Sequence, residues 1–265
     1  MKINGLIIAI SAALISTSCH QNEKCQQKEN ASHLLNATAW YQQSAEMRAC
    51  YYQSYKMAQI ALTDNLQKYN GSKPAAVVLD IDETVLDNSP FEAGLIADGG
   101  AYSDSAWNAW SSRGEARALP GAPEFISFAK QKGVEVFFIS NRKENEFATT
   151  LKNLEKAGMP IDSANLLIRR QGTGSCKDER RNAVSSKYEI ILYIGDNLGD
   201  YTSLFDGRDS SLAMPLVDSM QADFGTKFII LPNPMYGEWE NAIYNYNFEA
   251  STGEKNKMML DLLNK

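Results

Sequence analysis

The sequence predicts a doubly wound α/β protein, with a mostly parallel sheet, helices on both faces and a smaller helical subdomain. Three observations carry that expectation. Short apolar runs recur through the middle of the chain, stretches of helical composition separate them, and turn residues such as Asn70-Gly71-Ser72-Lys73-Pro74 mark the change of pattern. Alternation of this kind builds parallel strands covered on both sides.

Taken in order, residues 1–18 read as an export signal: Lys2, an apolar run from Leu6 to Ile15, then Ser16, Thr17 and Ser18 ahead of Cys19. That run is too short to cross a bilayer as a helix, which takes roughly 20 apolar residues. Small residues before a cysteine resemble the lipobox of bacterial lipoproteins, although Ser16 stands where Leu is usual. The resemblance implies an acylated Cys19 and a membrane attachment, plain secretion being the alternative. Polar residues 19–31 suit a tether, and 32–70 a helical part with recurring positions at Leu34, Ala37 or Thr38, Tyr41, Ala45, Tyr52, Tyr55, Ala58 and Leu62. This stripe predicts packing.

The core spans residues 71–234, with strands expected at 75–80, 134–140, 165–168, 190–195 and 227–231. Helices are expected at 123–132, 143–156 and 177–187. Residues 235–265 return to helical composition, and with the N-terminal helix they can form the subdomain. At 265 residues the chain suffices for one substantial core and a small satellite. A formal net charge of −6 gives no field that draws a polyanion, so nucleic acid is not an expected partner. In an oxidising compartment Cys25 and Cys50 can pair and leave Cys176 single, or all three can stay thiols; no spacing suggests zinc.

In an open parallel sheet, reactive groups gather at the carboxyl ends of the strands. Asp80 ends the run AAVVL, Ser140 ends VEVFFI, and Asp196 follows IILYIG. Asp80 and Asp82, two apart in D-I-D-E-T, repel unless a hard cation such as Mg²⁺ joins them. An acidic turn capping a helix would account for Asp82 with Thr84, but not for Asp196. Ser140, Asn141 and Arg142 offer groups where a phosphate can sit, and Lys177 offers a cation within a mixed-charge run.

The order D-x-D-x-T, strand-end Ser, Lys and G-D-x-x-x-D resembles the haloacid dehalogenase superfamily of phosphohydrolases. LDIDETVLDNSPF and YIGDNLGDY are similar to the paired signatures of class C acid phosphatases, and WYQQSAE, LPGAPEF, SNRKE and LPNPMYGEWE extend the likeness along the chain. The signature departs from the family at Phe91, where Tyr is usual.

The resemblance implies an exported, Mg²⁺-dependent phosphomonoesterase, an outer-membrane lipoprotein facing the periplasm or the surface, acting on nucleoside monophosphates. Asp80 would be the nucleophile and form an aspartyl phosphate, and Asp82 the general acid and base. Ser140 would bind a phosphoryl oxygen, Lys177 would neutralise charge, and Asn141 and Arg142 would face the substrate. Asp80, the Asp82 main-chain carbonyl and Asp196 would hold the metal, with Asp200 supporting the metal or Lys177. Trp107 and Tyr236 match positions that stack on the base, a structural place in the core being the alternative for Trp107. Rival expectations are a phosphotransferase and a noncatalytic nucleotide-binding lipoprotein.

Overall fold

The computed structural model describes residues 32–207 and 210–263. The expected signal, the tether, Cys19 and Cys25 lie outside the described residues. Cys50 and Cys176 are exposed. Among the described residues, no helix is long and apolar enough to cross a membrane.

The chain opens with helices α1 (Ser32–Gln43) and α2 (Ala45–Lys68), then strand β1 (Ala75–Leu79). Next come β2 (Leu86–Asp87), α3 (Ser89–Asp98), α4 (Asp104–Ser111), β3 (Arg117–Ala118) and α5 (Ala122–Gln131). The second half contains β4 (Glu135–Lys143), α6 (Phe147–Lys156), β5 (Leu166–Arg169), α7 (Asp178–Ser185) and β6 (Glu189–Gly195). It closes with α8 (Ser210–Ser219), β7 (Phe228–Ile230), α9 (Glu238–Ile243) and α10 (Thr252–Leu262).

Five strands form a parallel sheet in the order β5-β4-β1-β6-β7. The chain runs outward from β1 through β4 to β5 and then returns to the other side of β1. The switch point therefore lies at the carboxyl end of β1, where an α/β sheet opens a crevice. Alternation along the strands gives each face its own core. Val77, Leu79, Phe138, Leu192 and Ile194 pack with Tyr51, Tyr55 and Leu62 of α2, Phe125 of α5 and Leu154 of α6. Ala76, Val78, Phe137 and Ile139 pack on the opposite face with Val184 of α7. The helix α2 thus covers the sheet itself.

The N-terminal helical part differs from the sequence expectation in its phase. Ser44 breaks the helix and caps α2 by accepting from the Met47 N–H (3.0 Å). That break resets the buried face to Met47, Tyr51, Tyr55, Ala58 and Leu62, so Tyr52 and Ala45 are exposed. The strand β4 also runs past Ser140. Ser140 opposes Ile168 and Lys143 opposes Arg169, which leaves Asn141 and Arg142 as extra residues in a bulge. A short antiparallel pair, β2 with β3, forms a separate sheet and was not expected.

Candidate active site

The site begins where β1 stops. Asp80 keeps its N–H on the Ile194 carbonyl (3.0 Å), so its position is tied to the sheet. The chain then turns sharply: Glu83 takes a left-handed φ of 56°, and the N–H groups of Val85 and Leu86 both return to the Ile81 carbonyl at 2.9 Å. Two tyrosines of α2 brace this turn. The Tyr51 hydroxyl donates to the Glu83 carbonyl and is itself hydrogen-bonded to Tyr41, while the Tyr55 hydroxyl donates to the Thr84 carbonyl (2.7 Å). The tyrosines that the reset phase turns inward thus pack and also hold the turn after β1.

Asp80, Asp196 and Asp200 bring carboxylate oxygens within 4.8 Å of one another. Lys177, at the start of α7, reaches into the group, pairing with Asp80 and with Asp200 (2.6 Å). Asp200 is fixed by its second oxygen, which accepts from the Asn197 N–H (3.0 Å). It also needs Gly195, because a Cβ there would fall 2.2 Å from Asp200 Oδ2. Asp196 accepts from Thr84 Oγ1 (3.2 Å) and from Asn233 Nδ2 (2.8 Å).

Three carboxylates against one ammonium leave this pocket two positive charges short of balance. The electrostatics agree. Burial pushes the Asp80 carboxyl up, against the pull of Lys177, and burial with Asp200 pushes Asp196 up to about 7. Burial alone would lower Lys177, but Asp200 and Asp80 outweigh it and raise the ammonium above its ordinary value. An all-oxygen donor set with that deficit fits a hard divalent cation.

Asp82 stands apart from this group. Its Oδ1 accepts from Arg142 Nη2 (2.7 Å), Arg142 Nε (3.0 Å) and Asn88 Nδ2 (2.8 Å). Its Oδ2 has the longer contacts, Arg142 Nε at 3.2 Å and Ser140 Oγ at 3.4 Å. Ser140 is fully buried beside it. Asn141 is exposed and accepts from Arg180 Nη2 (2.8 Å).

The two aromatic candidates are each one contact removed from the acidic residues. Trp107 donates to Glu146 (3.0 Å), meets Phe91 edge-on at 5.3 Å, and lies 5.7 Å from the Arg142 guanidinium carbon. Tyr236 is half-buried against the larger core, and Asn233 Oδ1 accepts its N–H (3.4 Å) while holding Asp196. Asn88, Asn233 and Arg180 escaped the sequence reading, and Thr84 entered it only as part of a helix-capping turn. Their signal was faint: Asn88 and Thr84 lie inside the quoted signature, and Arg180 lies in a charge run that resembles a solvated face. Lys177, Arg181 and Val184 of that run are in fact buried at helical spacing.

Residues 6–239 match the family model described as HAD superfamily, subfamily IIIB (acid phosphatase). The chain is similar to the class C acid phosphatase from Bacillus anthracis. The two share 44% identity with a TM-score of 0.84, covering 90% of this chain and 99% of that one. The same enzyme with tungstate bound gives 43% identity and a TM-score of 0.85 over the same shares. Acid phosphatase 1 of Solanum lycopersicum is 27% identical over 165 residues, 60% of this chain. That alignment spans 57% of the tomato protein, so the chain covers rather more than half of that relative. With its parallel sheet and the acidic residues at the end of β1 and β6, the chain belongs to the acid phosphatases of HAD subfamily IIIB, on their class C branch.

Proposed function

We propose that the protein is an exported, Mg²⁺-dependent phosphomonoesterase that hydrolyses nucleoside monophosphates through an aspartyl phosphate. The observation that carries the reading is the convergence of Asp80, Asp196, Asp200 and Lys177 at the sheet's switch point, with two negative charges unbalanced. Asp80 and Asp196 carboxylates, with the main-chain carbonyl of Asp82, would hold Mg²⁺. When bound, the ion offsets the charge of the phosphoryl oxygens and aligns them for in-line displacement.

An Asp80 carboxylate oxygen bonds to phosphorus as the ester P–O bond breaks, and Asp82 gives its proton to the departing oxygen. Asp82 then takes a proton from the water that cleaves the aspartyl phosphate and regenerates Asp80. Lys177 stabilises charge on Asp80 and the transferring group, while the Ser140 hydroxyl and the Asn141 amide bind phosphoryl oxygens. Tungstate, held by the Bacillus anthracis relative, is a tetrahedral oxyanion like phosphate, which supports a phosphoryl pocket here. Trp107, over the Arg142 guanidinium, and Tyr236, tied to Asn233, would stack on a nucleoside base. Export rests on Lys2 and the apolar run from Leu6 to Ile15, and attachment on an acylated Cys19.

The test is a panel of phosphate monoesters assayed with Mg²⁺ and with chelator, alongside Asp80→Asn. Turnover should prefer nucleotides, vanish with chelator and fall at least about 1,000-fold in the variant. Near-normal turnover by Asp80→Asn would remove the nucleophile assignment, and activity indifferent to chelator would remove the metal.

A further inference from the structure

We infer that Arg142 is a positioning residue for Asp82 and not a ligand of the substrate phosphate. The bulge in β4 carries the argument first. Asn141 and Arg142 are the extra residues between two paired positions, and a bulge of this kind re-aims side chains. Asn141 turns to the surface, and Arg142 turns inward until it is 2% exposed.

A guanidinium that deeply buried must have its donors paired. Nε and Nη2 take Asp82 in a forked contact, Nη1 donates to Thr150 Oγ1 (3.2 Å), and Nη2 also approaches Asn88 Oδ1 (3.4 Å). A phosphate reaching this guanidinium would have to displace Asp82. The fork is the geometry that suits arginine to a carboxylate and that lysine cannot reproduce.

The contacts on Asp82 are also unequal. Oδ1 takes three bonds of 2.7 to 3.0 Å, whereas Oδ2 takes only contacts of 3.2 and 3.4 Å. The orientation of Asn88 in this arrangement is settled by Trp110, whose Nε1 donates to Asn88 Oδ1 (2.9 Å) and so turns Nδ2 toward Asp82. Arg142 and Asn88 thus grip one oxygen and leave the other as the proton carrier. The Trp107 ring lies over the same guanidinium, its centroid 5.7 Å from the guanidinium carbon. This inference rests on the proposed acid role of Asp82.

Leaving-group dependence separates the two roles. A nitrophenyl phosphate expels its phenolate with little need of a proton, whereas an alkyl phosphate needs the acid. For Arg142→Gln, kcat/KM on the alkyl ester should fall about 100-fold, against less than about 10-fold on the nitrophenyl ester. Inhibition by inorganic phosphate should change less than about 2-fold. Arg142→Lys, which keeps the charge without the fork, should show the same selectivity in weaker form and serves if the glutamine variant does not fold. Equal losses on both esters, or a weakened phosphate inhibition, or no loss at all, would overturn the inference. Asp82→Asn is the control: without the selectivity there, the acid assignment itself fails, and with it there but absent in the Arg142 variants, only the present inference fails.

Discussion

Asp80 and Asp82 leave the same strand end two residues apart, and their carboxylates come to rest against different cations. Asp80 lies in a buried group of three carboxylates that share the Lys177 ammonium, a compact point charge able to serve two partners at once. Asp82 meets a planar fork and an amide, and it shares neither with another carboxylate. In the proposed mechanism the nucleophile can tolerate crowding by charge, because a bound cation would relieve it. A proton carrier cannot, since its affinity for the proton must stay adjustable.

The largest expected effect comes from breaking the Asp80 side. Lys177→Met leaves Asp80 and Asp200 buried without their ammonium, so kcat should fall by about 100-fold or more and stability by about 3–5 kcal/mol. Steady-state kinetics and thermal melting read both. Survival of more than about a tenth of kcat would mean that Asp80 does not depend on the ammonium.

A smaller effect is expected on the Asp82 side. Asn88→Ala removes one donor from Asp82 Oδ1 and the acceptor of Trp110 Nε1, while Arg142 remains. Stability should drop by about 1–3 kcal/mol and kcat by about 10-fold. An equal kcat loss in Asn88→Ala and Lys177→Met would erase the distinction between the two sides.

The smallest effect concerns a carboxyl held by neither cation. Glu92 of α3 is pushed up to about 7 by burial and then by Glu240, from an ordinary 4.5. Its folded form therefore holds a proton more tightly than the unfolded chain does. The associated stability is fully present below about pH 4.5 and is lost as pH rises through about 7. Glu92→Gln should gain about 1–3 kcal/mol over the parent at pH 8 and nothing at pH 4, which melting curves at the two values would show. A gain independent of pH would place the effect in packing.

Much of this arrangement could be read from residue order, because strand ends and acidic motifs leave local marks. The parallel strands followed from apolar runs such as AAVVL and VEVFFI, and each core strand formed within a few residues of its expected place. Asp80, Asp82, Ser140, Lys177, Asp196 and Asp200 came together at one rim. The phase of α2 was less legible, since a single serine cap at Ser44 decides which tyrosines turn inward. The fate of Arg142 was hidden for a similar reason. A bulge has no periodic signature, and the residue's partner is 60 positions away in the sequence. Asn88 and Asn233 were equally silent, as an amide announces nothing until both of its ends have found partners.

Gly195 gives the acidic pocket a dependence of another kind. Its hydrogen occupies the place where any other residue would put a carbon, and Asp200 fills the room so left. Whatever lineage or library retains Asp200 against Lys177 must therefore leave position 195 without a side chain. A charged constellation visible as aspartates and a lysine is in this way licensed by a neutral atom, and drift at that one position would unseat Asp200 with every charged residue still in the chain.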